Sequence, residues 1–335
     1  MTNDVVMSVR DLRVYYGSDR GPVRAVDGVD LEMRRGQTIG LVGESGCGKS
    51  TLGRAMMGLF PSGAGYDGQV LIGGSDILTM KPKQLQAVRG AKIAMIFQEP
   101  MTRLNPLMKV SEHFRELLHV HERGISDADT KSRSLETLAA MGIPPTRFTN
   151  YPHEFSGGMR QRIMIALALV LKPDLIIADE PTTALDVLVE AQIVRILSDL
   201  RENFDTSLLL ITHSLGIVAE ACNRVAVMYA GRVVEHGGAR EVFANPQHPY
   251  TRALLDSTIS MSTTALTTIP GSTPDLVHPP TGCRFNPRCE SAMHVCTTRT
   301  PQLRHTPVAD AACWLHVDDL SAEQRRSLKE AQASA

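Results

Sequence analysis

The chain has 335 residues, more than one typical domain, and its 43% hydrophobic and 21% charged residues suit a globular protein with a sizeable core. Its 35 Lys and Arg residues nearly balance its 36 Asp and Glu residues, so no strong field indicates nucleic acid as a partner. The most apolar stretch, residues 163–171, is too short to span a bilayer, and the N-terminus lacks the basic-then-apolar layout of a signal peptide. We therefore expect a cytosolic protein.

The first third of the chain predicts strands around a glycine-rich loop. Apolar runs bounded by Gly, Asp and Pro turns indicate strands at residues 5–15, 23–33, 38–42, 68–72 and 92–97. The loop follows the third strand, and helix-compatible residues 50–58 follow the loop.

The rest of the chain predicts a helical block, a return of the sheet, and an irregular end. The block contains helices at residues 110–121, 127–141 and 157–171. Strands at 175–178, 207–211 and 224–228 then alternate with helices at 187–203 and 215–221. This alternation predicts a largely parallel sheet covered on both faces, with the block as a separate subdomain. From about residue 240 frequent prolines predict an irregular extension, whose tail, residues 320–333, is helical or frayed.

The glycine-rich loop matches the pattern G-x-x-x-x-G-K-[ST] between a predicted strand and a predicted helix. Such a loop turns its backbone N–H groups toward phosphates, while Lys49 reaches the β- and γ-phosphates and the Ser50 hydroxyl binds Mg²⁺. The predicted ATP-binding residues here are Gly43, Ser45, Gly46, Cys47, Gly48, Lys49, Ser50 and Thr51. For the Cys47 thiol, a redox role is the alternative to a small tolerated side chain.

Two carboxylates end the apolar strand at residues 175–178. Asp179 is expected to hold Mg²⁺, usually through water, and Glu180 to orient and polarise an attacking water. Together with the phosphate loop, this pair predicts nucleotide hydrolysis.

The sequence FSGGMRQR at residues 155–162 resembles the signature motif of ATP-binding-cassette (ABC) ATPases. The resemblance implies a P-loop NTPase of α/β class with a RecA-like core, an N-terminal antiparallel β subdomain and an inserted helical subdomain at about residues 99–172. It also implies that the phosphate loop of one cassette faces the signature motif of a second. The residues that it assigns are Tyr16 for stacking on adenine, Gln98 for Mg²⁺ and catalysis, Ser156, Gly157 and Gly158 for the partner's ATP, Asp186 in the D-loop, and His213 as the catalytic switch.

Three positions qualify this resemblance. Tyr15 competes with Tyr16 for the adenine. Met159 stands where most cassettes have glutamine, and Ser214 stands where an acidic residue commonly follows the switch histidine.

Met159 and three further segments resemble the dipeptide/oligopeptide and nickel importer branch: QEPMTRLNP at 98–106, PQHPYT at 246–251 and GCRFNPRC at 282–289. This implies a cassette at residues 1–240 and a transporter-type extension at 241–335. It also implies a second, different cassette as a heterodimer partner, two permeases, an extracytoplasmic binding protein, and a peripheral place on the cytoplasmic membrane face. The solute is a peptide, or alternatively nickel, haem or another small molecule. One rival is a soluble ABC ATPase that acts on ribosomes or DNA, but such proteins carry two cassettes, long coiled coils or zinc modules, whereas this sequence shows one cassette, no heptads and no basic patch. The other rival is an exporter or lipoprotein-release cassette, and those lack the cysteine-bearing tail.

Four of the six cysteines lie close together in the extension. Their gaps do not fit the tight pairs of zinc sites, whereas four thiolates suffice for a 4Fe–4S cluster, which the resemblance implies for some members of the branch. We expect such a cluster, against the alternative of four reduced thiols, with His294 or His316 as conceivable replacement ligands. The predicted cluster ligands are Cys283, Cys289, Cys296 and Cys313.

Overall fold

The computed structural model describes residues 4–98, 103–182, 187–204, 206–258 and 268–328. The strands are β1 Val5–Tyr16, β2 Val23–Arg34, β3 Thr38–Val42, β4 Gly65–Ile72, β5 Ser75–Asp76, β6 Ile93–Ile96, β7 Leu175–Asp179, β8 Ser207–Ile211, β9 Arg224–Tyr229, β10 Arg232–Gly238, β11 Arg304–His305 and β12 Asp310–Ala311. The α-helices are α1 Lys49–Ala55, α2 Pro82–Val88, α3 Val110–His121, α4 Asp127–Ala140, α5 Gly157–Leu169, α6 Val187–Phe204, α7 Leu215–Ala221, α8 Ala239–Ala244, α9 Pro249–Asp256, α10 His294–Thr298 and α11 Ala322–Arg325.

The chain divides into two compact units, and the first comprises residues 1–8, 32–38 and 71–211. Its strands β6, β7 and β8 are parallel neighbours, with Ile93 opposite Leu175 and Leu175 opposite Ser207. Every residue of β7 and β8 is buried, as expected for parallel strands covered on both faces. Helices α3, α4 and α5 pack on one another through buried residues such as Phe114 and Leu138.

The second unit comprises residues 9–31, 39–70 and 212–335. Strand β9 pairs in parallel with β3 and antiparallel with β10. Strand β10 in turn pairs with β12, so the extension contributes a strand to the sheet of this unit. Helix α7 packs directly on β3, because a Cβ atom on Gly40 would lie 2.4 Å from Val218 Cγ1. Most residues of β1, β2 and β4 also lie in this unit. These strands are neighbours in a separate sheet, in the order β2-β1-β4.

The predicted α/β class is confirmed, and most predicted elements appear with ends shifted by a few residues. Strand β10 was not predicted, because Glu235, His236 and two glycines interrupt its apolar pattern. Glu235 is fully buried there and accepts hydrogen bonds from the N–H groups of Gln247 and His248, at 2.7 and 2.9 Å. The extension is also less irregular than expected, since it forms α9 and β12. The domain boundaries at residues 99, 172 and 240 remain predictions.

Within the described ranges, none of the helices has the length and apolar character needed to cross a bilayer.

Candidate functional site

The glycine-rich loop lies between the buried strand β3 and helix α1 in the second unit. Two of its glycines are required by close backbone contacts as well as by positive φ angles. A Cβ atom on Gly43 (φ +152°) would lie 2.1 Å from Met228 O, and one on Gly48 (φ +107°) would lie 2.0 Å from Ala25 O. Only glycine tolerates both conditions, and the resulting turn suits a loop whose N–H groups surround phosphates.

Lys49 begins α1 and is almost fully buried, with 5% of its surface exposed. Its ammonium group donates hydrogen bonds to two carbonyl oxygens of the loop, Gly43 O at 2.8 Å and Glu44 O at 3.0 Å. The charge is therefore held inside the loop, where a phosphate would require it.

Two further predicted residues lie at this loop. The Tyr16 hydroxyl donates a hydrogen bond to Thr51 Oγ1 at 2.9 Å, which places the end of β1 beside the start of α1. Cys47 is buried, and burial raises the pKa of its thiol, which keeps it protonated and weakly reactive. The Cys47 carbonyl accepts a hydrogen bond from Gly231 N at 2.8 Å.

The acidic pair lies in the first unit, at the end of β7. Asp179 is buried, and Glu180 follows it with φ +47°, a left-handed conformation that is rare for a residue with a long side chain. The Glu180 N–H donates to Ile211 O at 2.9 Å, which holds this backbone in place. Gln98 Nε2 donates to Glu180 Oε2 at 3.3 Å, so the structure brings these two predicted catalytic residues together. Strained backbone of this kind is frequent at active sites.

The signature segment also lies in the first unit, at the start of α5. Ser156 caps the helix by accepting a hydrogen bond from Met159 N at 3.4 Å, and Gly157 is the first helical residue. A Cβ atom on Gly158 would lie 2.5 Å from Val189 Cγ1, so close packing against α6 requires glycine there. The predicted D-loop residue, Asp186, lies outside the described residues.

His213 belongs to the second unit, between β8 and α7. The residue before it, Thr212, donates its N–H to Leu41 O at 3.2 Å. Ser214, which replaces the acidic residue of most cassettes, caps α7 by accepting a hydrogen bond from Ile217 N at 3.4 Å. The substitution thus provides a helix cap, for which serine is well suited.

Sequence reasoning missed a buried ionic cluster around Asp27, which is 3% exposed. Arg13 and Arg232 bind its carboxylate at 3.1 and 3.0 Å, and Arg284 of the extension also binds it. Burial alone would raise the pKa of Asp27, but these arginines, beginning with the hydrogen bond from Arg232, hold it below its usual value. Arg284 lies in the GCRFNPRC segment, which the sequence singles out. Nothing in the sequence indicates that it pairs with Asp27, which lies 257 residues away.

The four late cysteines line one small cavity with apolar side chains such as Met293 and Trp314. Burial raises the pKa of the Cys283 and Cys313 thiols to about 12, so both carry their protons at neutral pH. Within the part of the chain that the structure describes, no group of three or more His, Cys, Asp or Glu side chains is arranged to hold a metal ion. The predicted 4Fe–4S cluster is therefore wrong for its proposed ligands, Cys283, Cys289, Cys296 and Cys313. The alternative prediction of reduced thiols agrees with Cys283, Cys296 and Cys313, which form no disulfide.

Comparison with known proteins identifies the chain. The family profile described as "ABC transporter" matches residues 26–183, and the profile "Oligopeptide/dipeptide transporter, C-terminal region" matches residues 234–296. The oligopeptide transport ATP-binding protein OppD of Salmonella typhimurium is 45% identical over 321 residues, which cover 95% of this chain and 96% of that protein. This chain belongs to the ABC transporter ATP-binding family. The dipeptide transport ATP-binding protein DppD of Bacillus subtilis is 44% identical and covers 92% of this chain and 94% of its own length.

Solved structures of ABC cassettes agree with this assignment. The cassette MJ0796, in a dimeric post-hydrolysis state bound to ADP and Pi, matches 70% of this chain and 99% of its own, with a TM-score of 0.62 and 26% identity. The cassette cbiO1 of Clostridium perfringens matches 72% of this chain and 92% of its own, with a TM-score of 0.62 and 27% identity. As a member of this family the chain is an ATPase.

The residues present fit ATP and Mg²⁺. The turned backbone of the phosphate loop and the buried Lys49 suit an anionic polyphosphate. In the second unit Ser50 offers a hydroxyl oxygen. In the first unit Gln98 and Asp179 offer an amide and a carboxylate oxygen, and all of these are hard donors of the kind that Mg²⁺ prefers.

Proposed function

We propose that this ABC ATPase powers the import of peptides across a membrane. The observation that carries the proposal is full-length similarity: the oligopeptide and dipeptide transport ATP-binding proteins compared above match over 95% and 92% of this chain. The extension supports it, since residues 234–296 match the C-terminal region of that transporter class. Nickel, haem or another small molecule is the alternative solute.

In this proposal the phosphate loop binds ATP through its backbone N–H groups. Lys49 leaves the carbonyl groups of Gly43 and Glu44 to contact the β- and γ-phosphates, and the Ser50 hydroxyl faces the metal. Tyr16 packs its ring on adenine, while its hydroxyl remains beside Thr51. These contacts fix the nucleotide so that its γ-phosphate is presented for in-line attack.

Glu180 is proposed to accept a proton from the attacking water, with Gln98 holding its carboxylate in position. The backbone conformation of Glu180 aims the carboxylate, and His213 stabilises the charge that develops on the γ-phosphate. Mg²⁺, when bound, neutralises charge on the β- and γ-phosphate oxygens. Asp179 and Ser50 are the residues proposed to hold it, together with Gln98.

We further propose that the chain acts as a heterodimer with a second, related cassette. Ser156, Gly157 and Gly158 then face the ATP of that partner with a hydroxyl group and backbone N–H groups. The helical residues of the block at about 99–172 dock on two permease subunits, and an extracytoplasmic binding protein delivers the solute. This arrangement places the chain at the cytoplasmic face of the membrane, peripheral to the bilayer.

The proposal is tested with the transporter reconstituted from this chain, its partner cassette, its permeases and its binding protein. We expect a mixture of short peptides to stimulate ATP hydrolysis and to accumulate inside the vesicles, because transport and hydrolysis are coupled. Vesicles that contain the Lys49→Ala chain are the matched control and should show neither effect. Stimulation by nickel or haem, but not by peptides, would contradict the peptide assignment and leave the ATPase assignment intact.

A further inference from the structure

Glu44, the second residue of the phosphate loop, is held from the C-terminal extension. Its N–H donates to the hydroxyl group of Tyr250 at 2.9 Å, and its carboxylate accepts two hydrogen bonds from Arg288, at 2.7 and 3.0 Å. Its carbonyl accepts the hydrogen bond from Lys49 at 3.0 Å. One loop residue thus connects the ammonium group of Lys49 with two side chains that follow it by 206 and 244 residues.

Both side chains are themselves fixed. Tyr250 is fully buried, and its ring centroid lies 4.5 Å from that of Tyr229 and 5.4 Å from that of Phe285. The Arg288 side chain is 5% exposed, and its Nε donates to Pro270 O at 2.7 Å. Its two-bond contact with a carboxylate is charge-assisted and directional, and the contact with Glu44 raises the pKa of Arg288. The extension therefore presents two rigid contacts to the loop.

We propose that Tyr250 and Arg288 are positioning residues for ATP and that they act through Glu44. They hold the phosphate loop in its binding conformation, so the extension sets the affinity of the cassette for ATP. A loop that is ordered in advance loses less conformational freedom on binding, which increases affinity. The inference rests on the proposed role of the phosphate loop in ATP binding, and it adds residues of the extension to that role.

The first test substitutes the hydroxyl group alone. Tyr250→Phe removes the hydroxyl group that accepts the hydrogen bond from the Glu44 N–H. Loss of one neutral hydrogen bond corresponds to a change of about 2–10-fold in the affinity for ATP. We expect the Kd of the full-length chain for a fluorescent ATP analogue to rise by that factor. In the assembled transporter KM for ATP should rise while kcat is unchanged, because Glu180 and Gln98 are untouched. Tyr66→Phe is the control, since it also removes one tyrosine hydroxyl, from an exposed ring that stacks on Phe60.

The second test asks whether Arg288 acts through Glu44. Arg288→Gln and Glu44→Gln are each combined with the other in a double-mutant cycle, with ATP affinity as the measurement. If the contact between Arg288 and Glu44 supports ATP binding, the double variant should bind ATP about as weakly as whichever single variant binds it less tightly. A purely structural role of Arg288 would instead give independent, multiplicative losses. If Arg288→Gln does not fold, Arg288→Lys replaces it, because lysine keeps the charge but lacks the two-bond geometry.

Three outcomes decide the matter. A raised Kd in Tyr250→Phe, with the Kd of Tyr66→Phe unchanged, supports the inference. Unchanged ATP affinity in both Tyr250→Phe and the Arg288 variant overturns it. Lys49→Ala separates this failure from that of the proposed function: if Lys49→Ala binds ATP as tightly as the unmodified chain, the loop is not the ATP site and both proposals fall.

Discussion

Two glycines of the phosphate loop allow the same substitution to be compared in two settings. Gly46 and Gly48 have φ angles of +79° and +107°, so alanine is strained at both. At Gly46, no atom lies within 4 Å of the added Cβ. At Gly48, the added Cβ would lie 2.0 Å from Ala25 O and 2.9 Å from Met228 Cε.

The expected costs follow from this difference. Gly46→Ala forces an L-residue into the left-handed conformation and adds no overlap, which lowers the free energy of unfolding by about 1–2 kcal/mol. Gly48→Ala carries the same strain and also overlaps a backbone carbonyl of β2, which cannot move without the strand. Overpacking adds about 1–3 kcal/mol, so we expect a total of roughly 2–5 kcal/mol for Gly48→Ala.

The assay is thermal unfolding of the three proteins without nucleotide, so that ATP binding does not contribute. A loss of 1 kcal/mol lowers Tm by about 2–4 °C in a domain of 150–250 residues. We therefore expect a lower Tm for Gly46→Ala and a clearly lower one for Gly48→Ala. A Gly48→Ala protein that melts at or above Gly46→Ala would refute the packing of this loop against β2.

Three further predictions follow from buried groups. Burial lowers the pKa of His248 to about 3, below its unfolded value of about 6.5, so its contribution to stability is full above pH 6.5 and is lost as the pH falls toward 3. By pH 5 the unmodified chain has lost about 2 kcal/mol of unfolding free energy from this group. In urea titrations at pH 7 and pH 5, the unfolding free energy of His248→Asn should therefore fall by less than that of the unmodified chain. Equal losses in the two proteins would contradict this prediction. Burial raises the pKa of the Cys283 and Cys313 thiols to about 12, so few of them are reactive thiolates at pH 8. Iodoacetamide at that pH should alkylate them at least about a hundredfold more slowly in the folded protein than in urea. Similar rates in the two conditions would contradict their burial. Asp27→Asn leaves buried arginines without their counter-charge and should cost about 3–5 kcal/mol in urea unfolding, unlike Asp30→Asn at the exposed neighbour; equal costs would argue against the cluster.

Much of the fold could be predicted because its signals are local. The glycines of the phosphate loop, the apolar run of β7 and the acidic pair after it each occupy a few consecutive residues, and periodicity identifies the helices between them. On this basis the sequence predicts Asp179 and Glu180 at a strand end, and the structure has them there. The left-handed backbone of Glu180 was not predicted, since no sequence rule requires it.

Contacts between segments that are distant in sequence could not be predicted. The segments that contain Tyr250 and Arg288 were recognised, but their partner, Glu44, lies more than 200 residues away, and only the folded chain shows the pairing. The error over the cysteines has a related cause. Spacing shows that thiols are close in sequence, but whether their side chains form a ligand set depends on the folded chain, and among the described residues they do not.

The most direct test of the proposed hydrolytic site is ATP hydrolysis by the Glu180→Gln chain in the assembled transporter, with ATP binding measured on the same preparation. Glutamine keeps the shape of the side chain and an oxygen that accepts from Gln98, but it cannot take a proton from water. We predict ATP binding within about twofold of the unmodified chain and hydrolysis at least about a hundredfold slower, the usual contribution of a general base. Turnover near that of the unmodified chain would contradict the role of Glu180 and the hydrolytic site built on it.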